Sequence, residues 1–489
     1  MESETGNMRE PVFPVPIHLP GASTGIGQAL QSQLRDAIVS GRLHAGMRLP
    51  STRKAALGLG IGRNTIISVY ERLIAEGYLV GRVGACPEVA ALRRAPPAQE
   101  PGLVDTALAA SRLPTRWRGQ LADHGAIAAA QDSFRTGMPD ARYFPHPRWR
   151  QLMQRSIRQW ARRPFCYPAS QGMPELRQAI ARHVSFARAI SCSPDDVIVT
   201  SGATQAFALL AQVLVEGGAS KVAVEWPGYP ATANAFAAAG AALLHVPVDA
   251  QGLCVEQIPA DAGIVCVTPS HQSPCGVALS PSRRGALLDH AQRSNALIIE
   301  DDYDGEFRYG ARPLDALKTL DVQGRVFYVG TFSKSMFPSL RLGYIIAPGW
   351  AREALVTAKH ATDPHGSDVV QTALAAFINE GDLARHVRRM QREYARRRSL
   401  ILAALQGPLS AWLFPLHSEA GLHLAAQVHE GVDSQQVLAA ARRHLPGIAS
   451  IAELAQAPAA APGLVFGFGC IEVEKVAEYL WTFTAALTR

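Results

Sequence analysis

The sequence predicts an α/β protein with a small helical unit in front of it. Three observations predict this. From Ser133 onward, short apolar runs ("DVIVTSG", "KVAVEWPG", "GIVCVTPS", "ALIIEDD", "RVFYVG", "LGYIIAP") alternate with helical patterns, as in a mostly parallel sheet threaded between helices. Ahead of that zone, up to about Ala90, the chain is compact, helical in period and basic. Between them, "ALRRAPPAQEPGLVDTALAASRLPTRWRGQLADHGAIAAAQ" has Pro pairs, Arg pairs and no sustained period, so it reads as a linker with one helical turn at most. The boundaries this gives are 15–90, 91–131 and 132–489.

The bulk numbers agree. A length of 489 residues with 48% hydrophobic and 18% charged residues is enough for two or three domains with a large core. Seven cysteines, an odd number with no C-x-x-C spacing, point to a reduced cytosolic chain rather than a disulfide framework or zinc site. No basic segment followed by an apolar run opens the chain, and no run is long enough to span a bilayer, so neither a signal peptide nor a membrane is expected. The expected compartment is the cytoplasm. The Ala-rich stretch "ATANAFAAAGAALLHV" reads as buried helix. No internal repeat occurs.

In the first zone, "IGQALQSQLRDAIVSG" puts Ile26, Leu30, Leu34, Ala37 and Ile38 on one helical face, with Gly41 as its stop. "LPSTRKAALGLG" gives a short helix with Ser51 as N-cap. In Arg63–Leu79 the stripe is Ile66, Val69, Tyr70, Leu73 and Ile74, and the other face shows Arg63, Asn64, Ser68 and Arg72. Three helices with tight Gly-containing turns make a helix-turn-helix, and "YLVGRVGACPEVA" suits a two-stranded wing. Between Val15 and Ala90, eight Lys and Arg stand against four acids, leaving +4 of the chain's net +7 in this zone. Phosphate neutralisation by such groups supplies non-specific DNA affinity, and side chains near the start of a recognition helix reach base edges. A solvated helix face on a small bundle is the bland reading of the same stripe.

In the large zone, four requirements of a pyridoxal phosphate (PLP) site can be sought. An amine is needed, and Lys334 lies in the loop "GTFSKSMFPSLRLGY" between two strand-like runs. Alone, a Lys in a Ser-rich loop is an ordinary surface residue. An acid must keep the ring nitrogen protonated. In "ALIIEDDYDGEF" alternation puts Asp301 and Tyr303 on one face and Glu300 and Asp302 on the other. The phosphate needs a helix N-terminus, hydroxyls and a cation. "VIVTSGATQAFALLAQVL" supplies the turn Ser201, Gly202, Ala203 and Thr204; Thr331 and Ser333 precede the lysine, and Arg341 follows it. The ring needs a face to stack on, and Tyr229 in "EWPGYPAT" follows a strand and a Pro-Gly turn. Each alone has a bland alternative. All fall where strands end and loops begin, which is where ligands sit in open α/β sheets.

Two resemblances sharpen both readings. "SGRLHAGMRLPSTRKAALGLGIGRNTIISVYERLIAEGYL" resembles the winged-helix domain of the GntR family, which implies DNA contacts by Arg53, Arg63, Asn64 and Thr65. It departs from the family at Gly62, where a Ser cap is usual, and at Gly84–Glu88, where Gly-x-Gly-Thr is usual and the acid Glu88 would repel phosphate. From Phe134 to the C-terminus the chain resembles a fold-type I aminotransferase. With the winged helix in front, "EDDYDGEFRY", "TPSHQSPCG" and "GTFSKSMFPSLRLGY" resemble the MocR subfamily of GntR regulators. That resemblance implies Lys334 as the Schiff-base lysine, Asp301 on the pyridine nitrogen and Tyr303 on the ring oxygen. It implies Tyr229 stacked on the ring, and Arg341, Thr331 and Ser333 near the phosphate. His271 and Gln272 fall in the loop placed beside the cofactor, and Ser273 takes a position often held by a larger side chain. Tyr167 in "YPASQG" matches a Tyr that reaches the partner subunit's phosphate, implying a homodimer, head-to-tail in this subfamily.

Two functions follow from these features. One is a transcription regulator, bound to double-stranded DNA half-sites, that senses PLP or a small amine or amino acid through Lys334. The other is an aminotransferase with a DNA-binding appendage. Aminotransferases of this fold usually clamp the substrate carboxylate with an Arg near the C-terminus, yet "APGLVFGFGCIEVEKV" has none. The missing clamp and the fused domain favour the regulator, with weak transamination at most.

Overall fold

The computed structural model describes residues 12–20, 25–81, 85–91, 111–112, 132–216, 219–310, 315–457 and 460–488. The chain forms two compact units, Met1–Arg118 and Gly119–Arg489. The linker expected at 91–131 lies outside the described residues except for 91, 111 and 112.

The described core of the first unit is built on the helices α1 (Ile26–Val39), α2 (Thr52–Leu59) and α3 (Arg63–Ala75). Ser51 caps α2, its side chain accepting from the Lys54 N–H. The turn into α3 passes through Gly60 at φ 66°, a left-handed conformation that glycine takes without steric cost. Strands β1 (Leu79–Val80) and β2 (Glu88–Val89) pair antiparallel. The segment before α2 joins them, with Val89 N–H donating to Met47 O and Leu49 N–H to Pro87 O. Leu30, Leu34, Ile66, Val69, Tyr70 and Leu73 close one core. Phe13 is also buried in it, and a Cβ on Gly58 would overlap Val12, so the chain before Val15 packs on this unit. Ile74, expected in the buried stripe, is exposed: it sits in the last turn of α3, whose buried positions end at Leu73.

The second unit holds an eight-stranded sheet: β3 (Val197–Thr200), β4 (Lys221–Trp226), β5 (Ala242–Asp249), β6 (Gly252–Leu253), β7 (Ile264–Val267), β8 (Leu297–Asp302), β9 (Val326–Thr331) and β10 (Gly343–Ile346). Its order is β3-β10-β9-β8-β7-β4-β5-β6. The inner pairs β9–β8, β8–β7, β7–β4 and β4–β5 are parallel; β10 runs antiparallel to both neighbours. Side chains alternate into cores on the two faces. Phe327 and Val329 join one with the helix Ala203–Leu214, and Tyr328 joins the other with the helix Pro174–Arg188. The Ala-rich stretch read as helix is a helix only over Pro230–Ala238; after Gly240, at φ 92°, it becomes β5, paired with β4 along six residues.

A second sheet follows: β11 (Leu413–Pro415), β12 (His423–Val428), β13 (Ala449–Ser450) and β14 (Gly463–Gly467), in the order β11-β12-β14-β13 and antiparallel throughout. It packs with the helices Asp382–Gln406 and Val473–Leu487. Among the described residues no helix is long and apolar enough to cross a membrane.

Candidate functional site

The C-terminal ends of β3, β4, β7, β8 and β9 share one edge of the large sheet. A cavity of about 310 Å³ opens there. Ala203, Thr204, Tyr229, Ser273, Asp301, Tyr303, Thr331, Ser333, Lys334 and Arg341 line it. Residues more than a hundred positions apart therefore meet in one place, because each follows a neighbouring strand.

Lys334 lies three residues beyond β9, and its Nζ donates to the Gly137 carbonyl at 2.8 Å. Burial lowers the pKa of its amine, while Asp304 and Asp301 pull it back up. Asp301 is 4% exposed, and its Oδ1 has no hydrogen-bond partner. Burial, then Asp302, Asp304 and Glu225, raise its pKa well above the carboxylate range. The alternation on β8 places the other two acids on the far face. Glu300 accepts from Leu317 and Lys318 N–H, and Asp302 accepts from Tyr328 Oη at 2.6 Å and pairs with Arg188 at 2.6 Å.

Tyr303 Oη lies 3.0 Å from His271 Nδ1, which lies 2.9 Å from Asp304 Oδ2. Asp304 also accepts from Leu422 N–H. A side chain at Gly421 would sit 2.0 Å from the imidazole, so glycine there is what lets the ring in. His271 does not line the cavity; it reaches it through Tyr303. Gln272, expected beside it, is turned away and donates to Pro227 O at 2.8 Å. Both depart from the expected placement because the loop folds them behind Tyr303 and Ser273.

At the other end, Gly202 (φ 88°) precedes the helix Ala203–Leu214. A Cβ there would come within 3.1 Å of the Arg341 guanidinium. Ala203 and Thr204 present the first turn of that helix to the cavity, and the Thr331 hydroxyl donates to Ser333 Oγ at 3.0 Å. Ser201 is drawn off: its N–H donates to Gln205 Oε1. No carboxylate lies within ion-pair distance of Arg341 among the described residues. A helix start, two hydroxyls and an unpaired guanidinium form an anion cradle.

Sequence reasoning missed Thr136, Gly137, Pro338, Leu454 and His423 on the cavity wall. His423, from β12, lies 4.3 Å ring to ring from His271, and burial and that neighbour hold its pKa well below the imidazole range. Tyr167 is 87% exposed and does not line the cavity of its own chain.

The donor set fits PLP. It offers an amine, an acid with a vacant buried oxygen, a phenol and an anion cradle, in a cavity of suitable volume. Among the described residues lining it, Arg341 is the one arginine.

In the first unit, Arg53, Arg63 and Asn64 are exposed at the starts of α2 and α3, and Arg63 Nε donates to Thr52 Oγ1 at 3.3 Å. Thr65 is half-buried against α1. Gly62 caps α3 without a side-chain bond, as the departure from the family pattern implied. Glu88 pairs with Arg48 at 2.9 Å, so its charge is neutralised within the protein rather than left to repel phosphate.

Comparison with known proteins agrees with both halves. Residues 27–86 match the family of bacterial regulatory proteins, gntR family, and residues 138–427 match aminotransferase class I and II. The chain is 36% identical over 431 residues to the probable rhizopine catabolism regulatory protein MocR of Rhizobium meliloti, covering 86% of this chain and 85% of that one. It is 35% identical to the HTH-type transcriptional regulator TauR of Rhodobacter capsulatus, covering 79% and 81% of the two chains. It is 30% identical to the pyridoxine biosynthesis transcriptional regulator PdxR of Corynebacterium glutamicum, covering 93% and 94%. The kynurenine aminotransferase of Pyrococcus horikoshii shares the fold of the large unit, with a TM-score of 0.67 and 25% identity over 73% of this chain and 91% of that one. With a gntR helix-turn-helix in front of an aminotransferase-like domain that carries a PLP site, the chain belongs to the MocR subfamily of GntR-family transcription regulators.

Proposed function

We propose that this PLP-dependent, DNA-binding regulator senses PLP, or a small amine or amino acid that reacts with it, at Lys334. The observation that carries this is the Lys334 amine sharing one cavity with the buried Asp301 carboxyl, whose Oδ1 has no partner, in a chain that also carries a DNA-binding domain. When bound, PLP supplies an aldehyde that condenses with primary amines and a ring nitrogen that draws electrons. The chain's own residues do the rest. Burial favours the neutral, nucleophilic form of Lys334. Burial and neighbouring acids raise the pKa of Asp301, which favours its sharing a proton with a basic ring nitrogen. Tyr303, steadied by His271 and Asp304, offers a hydrogen bond to a ring oxygen. Tyr229 offers a face to the ring. Gly202, Ala203, Thr204, Thr331, Ser333 and Arg341 hold a phosphate.

The domains this reading uses are 15–90, with Phe13 as part of the first core, a linker at 91–131, and 132–489. Arg53, Arg63, Asn64 and Thr65 are assigned to DNA. The regulator works as a homodimer in the cytoplasm. Exposed Trp160, Phe165 and Tyr167 give a partner an apolar surface, which supports a shared site. That Arg341 is the one arginine among the described residues lining the cavity speaks against efficient amino-acid turnover. Lys334→Ala should abolish the visible absorption of PLP-loaded protein. If that absorption survives unchanged, the lysine assignment is wrong.

A further inference from the structure

We infer that the outer face of the long helix Asp382–Gln406 is a second DNA-backbone contact, supplied by the large unit. Arg385, Arg388, Arg389, Arg392 and Arg396 are all exposed on it. Their spacing of three and four residues aligns them in one stripe about 100° wide, by the 3.6-residue period. The opposite face carries Leu383, Met390, Tyr394, Ile401 and Leu405 into the core, so the helix has one face for the protein and one for something else. The arginines on or beside the buried side are used structurally: Arg397 pairs with Asp140 at 2.7 Å, and Arg398 bonds the Ser418 carbonyl.

The outer stripe is poorly compensated. Asp382 meets Arg385 at 2.5 Å but is also held by Arg148 at 2.8 Å. Glu393 lies 3.7 Å from Arg396. Among the described residues, no carboxylate lies within ion-pair distance of Arg388, Arg389 or Arg392. Arg389 instead stands over the Tyr143 ring at 4.9 Å. Five fixed positive groups with two shared acids form a linear cationic surface.

The stripe calls for a linear polyanion, and DNA is the polyanion this chain already binds; the inference rests on the regulator reading. At 1.5 Å per residue, Arg385 to Arg396 spans about 16 Å. Duplex DNA carries about ten phosphates over that length. Arginine suits them because its planar fork donates two hydrogen bonds to one phosphate. Such contacts add affinity and register but read no sequence.

The test uses the full-length, PLP-loaded protein and a fragment from upstream of its own gene. Anisotropy titrations over a range of salt give the slope of log affinity against log salt. In the triple variant Arg388→Gln, Arg392→Gln, Arg396→Gln the slope should fall by up to about 2.7, at about 0.9 per phosphate lost. Affinity should drop at least about tenfold at about 0.1 M salt, with the preference for specific over random DNA unchanged. The matching triple Lys variant should keep most of the slope. An unchanged slope in the Gln variant, with its PLP absorption intact, overturns the inference. Equal loss in the Lys variant overturns it as well, because packing rather than charge would then be responsible. Arg63→Ala separates the two ideas: it should abolish sequence preference, and if it does not, the recognition-helix assignment fails whatever the stripe does.

Discussion

Glu225 illustrates how the site is tuned residue by residue. It is buried at the end of β4, where it accepts from Thr268 N–H at 3.1 Å and Thr268 Oγ1 at 2.5 Å. Burial outweighs these bonds and pushes its pKa from 4.5 to about 7. Its folded pKa is above its unfolded one. Its contribution to stability is therefore whole below about pH 4.5 and is lost as pH rises through 7. Between pH 5 and pH 8 the wild type should lose about 2–3 kcal/mol relative to Glu225→Gln, at about 1.36 kcal/mol per pKa unit. Urea unfolding of both proteins at the two pH values checks this, and a constant difference would refute it. At this scale the sequence was informative where backbone geometry alone decides. Strand alternation separated Asp301 and Tyr303 from Glu300 and Asp302, and the structure places them on those faces. It was silent where packing decides. His423 is a lone His in the apolar strand "GLHLAA", and only the docking of β12 brings it to the cavity. His271 was legible as a loop residue, but not that Tyr303 stands between it and the cavity.

The two helices that carry the residues assigned to DNA start differently. Ser51 caps α2 through the Lys54 N–H, whereas Gly62 at the start of α3 has no side-chain bond to give. Ser51→Ala should cost the first unit about 1 kcal/mol, and Gly62→Ser should gain a few tenths. Gly62 has extended φ and ψ of −63° and 137°. A Cβ added there would meet nothing nearer than the Thr65 hydroxyl, 3.7 Å away, so a serine fits. Thermal melts followed by circular dichroism would show the two opposite shifts; shifts of the same sign would mean that capping does not set the stability of these helices. Helices α1 and α3 were legible from their apolar stripes because each has one buried face, and α2 from its Ser51 cap. Strand β5 was not. The Ala-rich run before it and its own Ala242, Leu243 and Leu244 favour helix, and pairing with β4 overrides that preference. Ile74 followed the period of α3, but the buried positions of that helix end at Leu73.

For the whole molecule, one chemical signal links two units of different architecture. Loading PLP at Lys334 is proposed to change the large unit, and the linked winged helices then change how they meet two DNA half-sites. The order of domains was legible because composition and period change sharply along the chain. The proposed homodimer rests on the resemblance, since an exposed Tyr167 means little in one chain taken alone. The deciding measurement is binding of the full-length protein to the region upstream of its own gene, titrated in apo and PLP-loaded forms at fixed salt. A PLP-sensing regulator should bind it specifically, with an affinity or footprint that changes with PLP. Specific binding that ignores both PLP and added amines, or no specific binding in either form, would contradict that role.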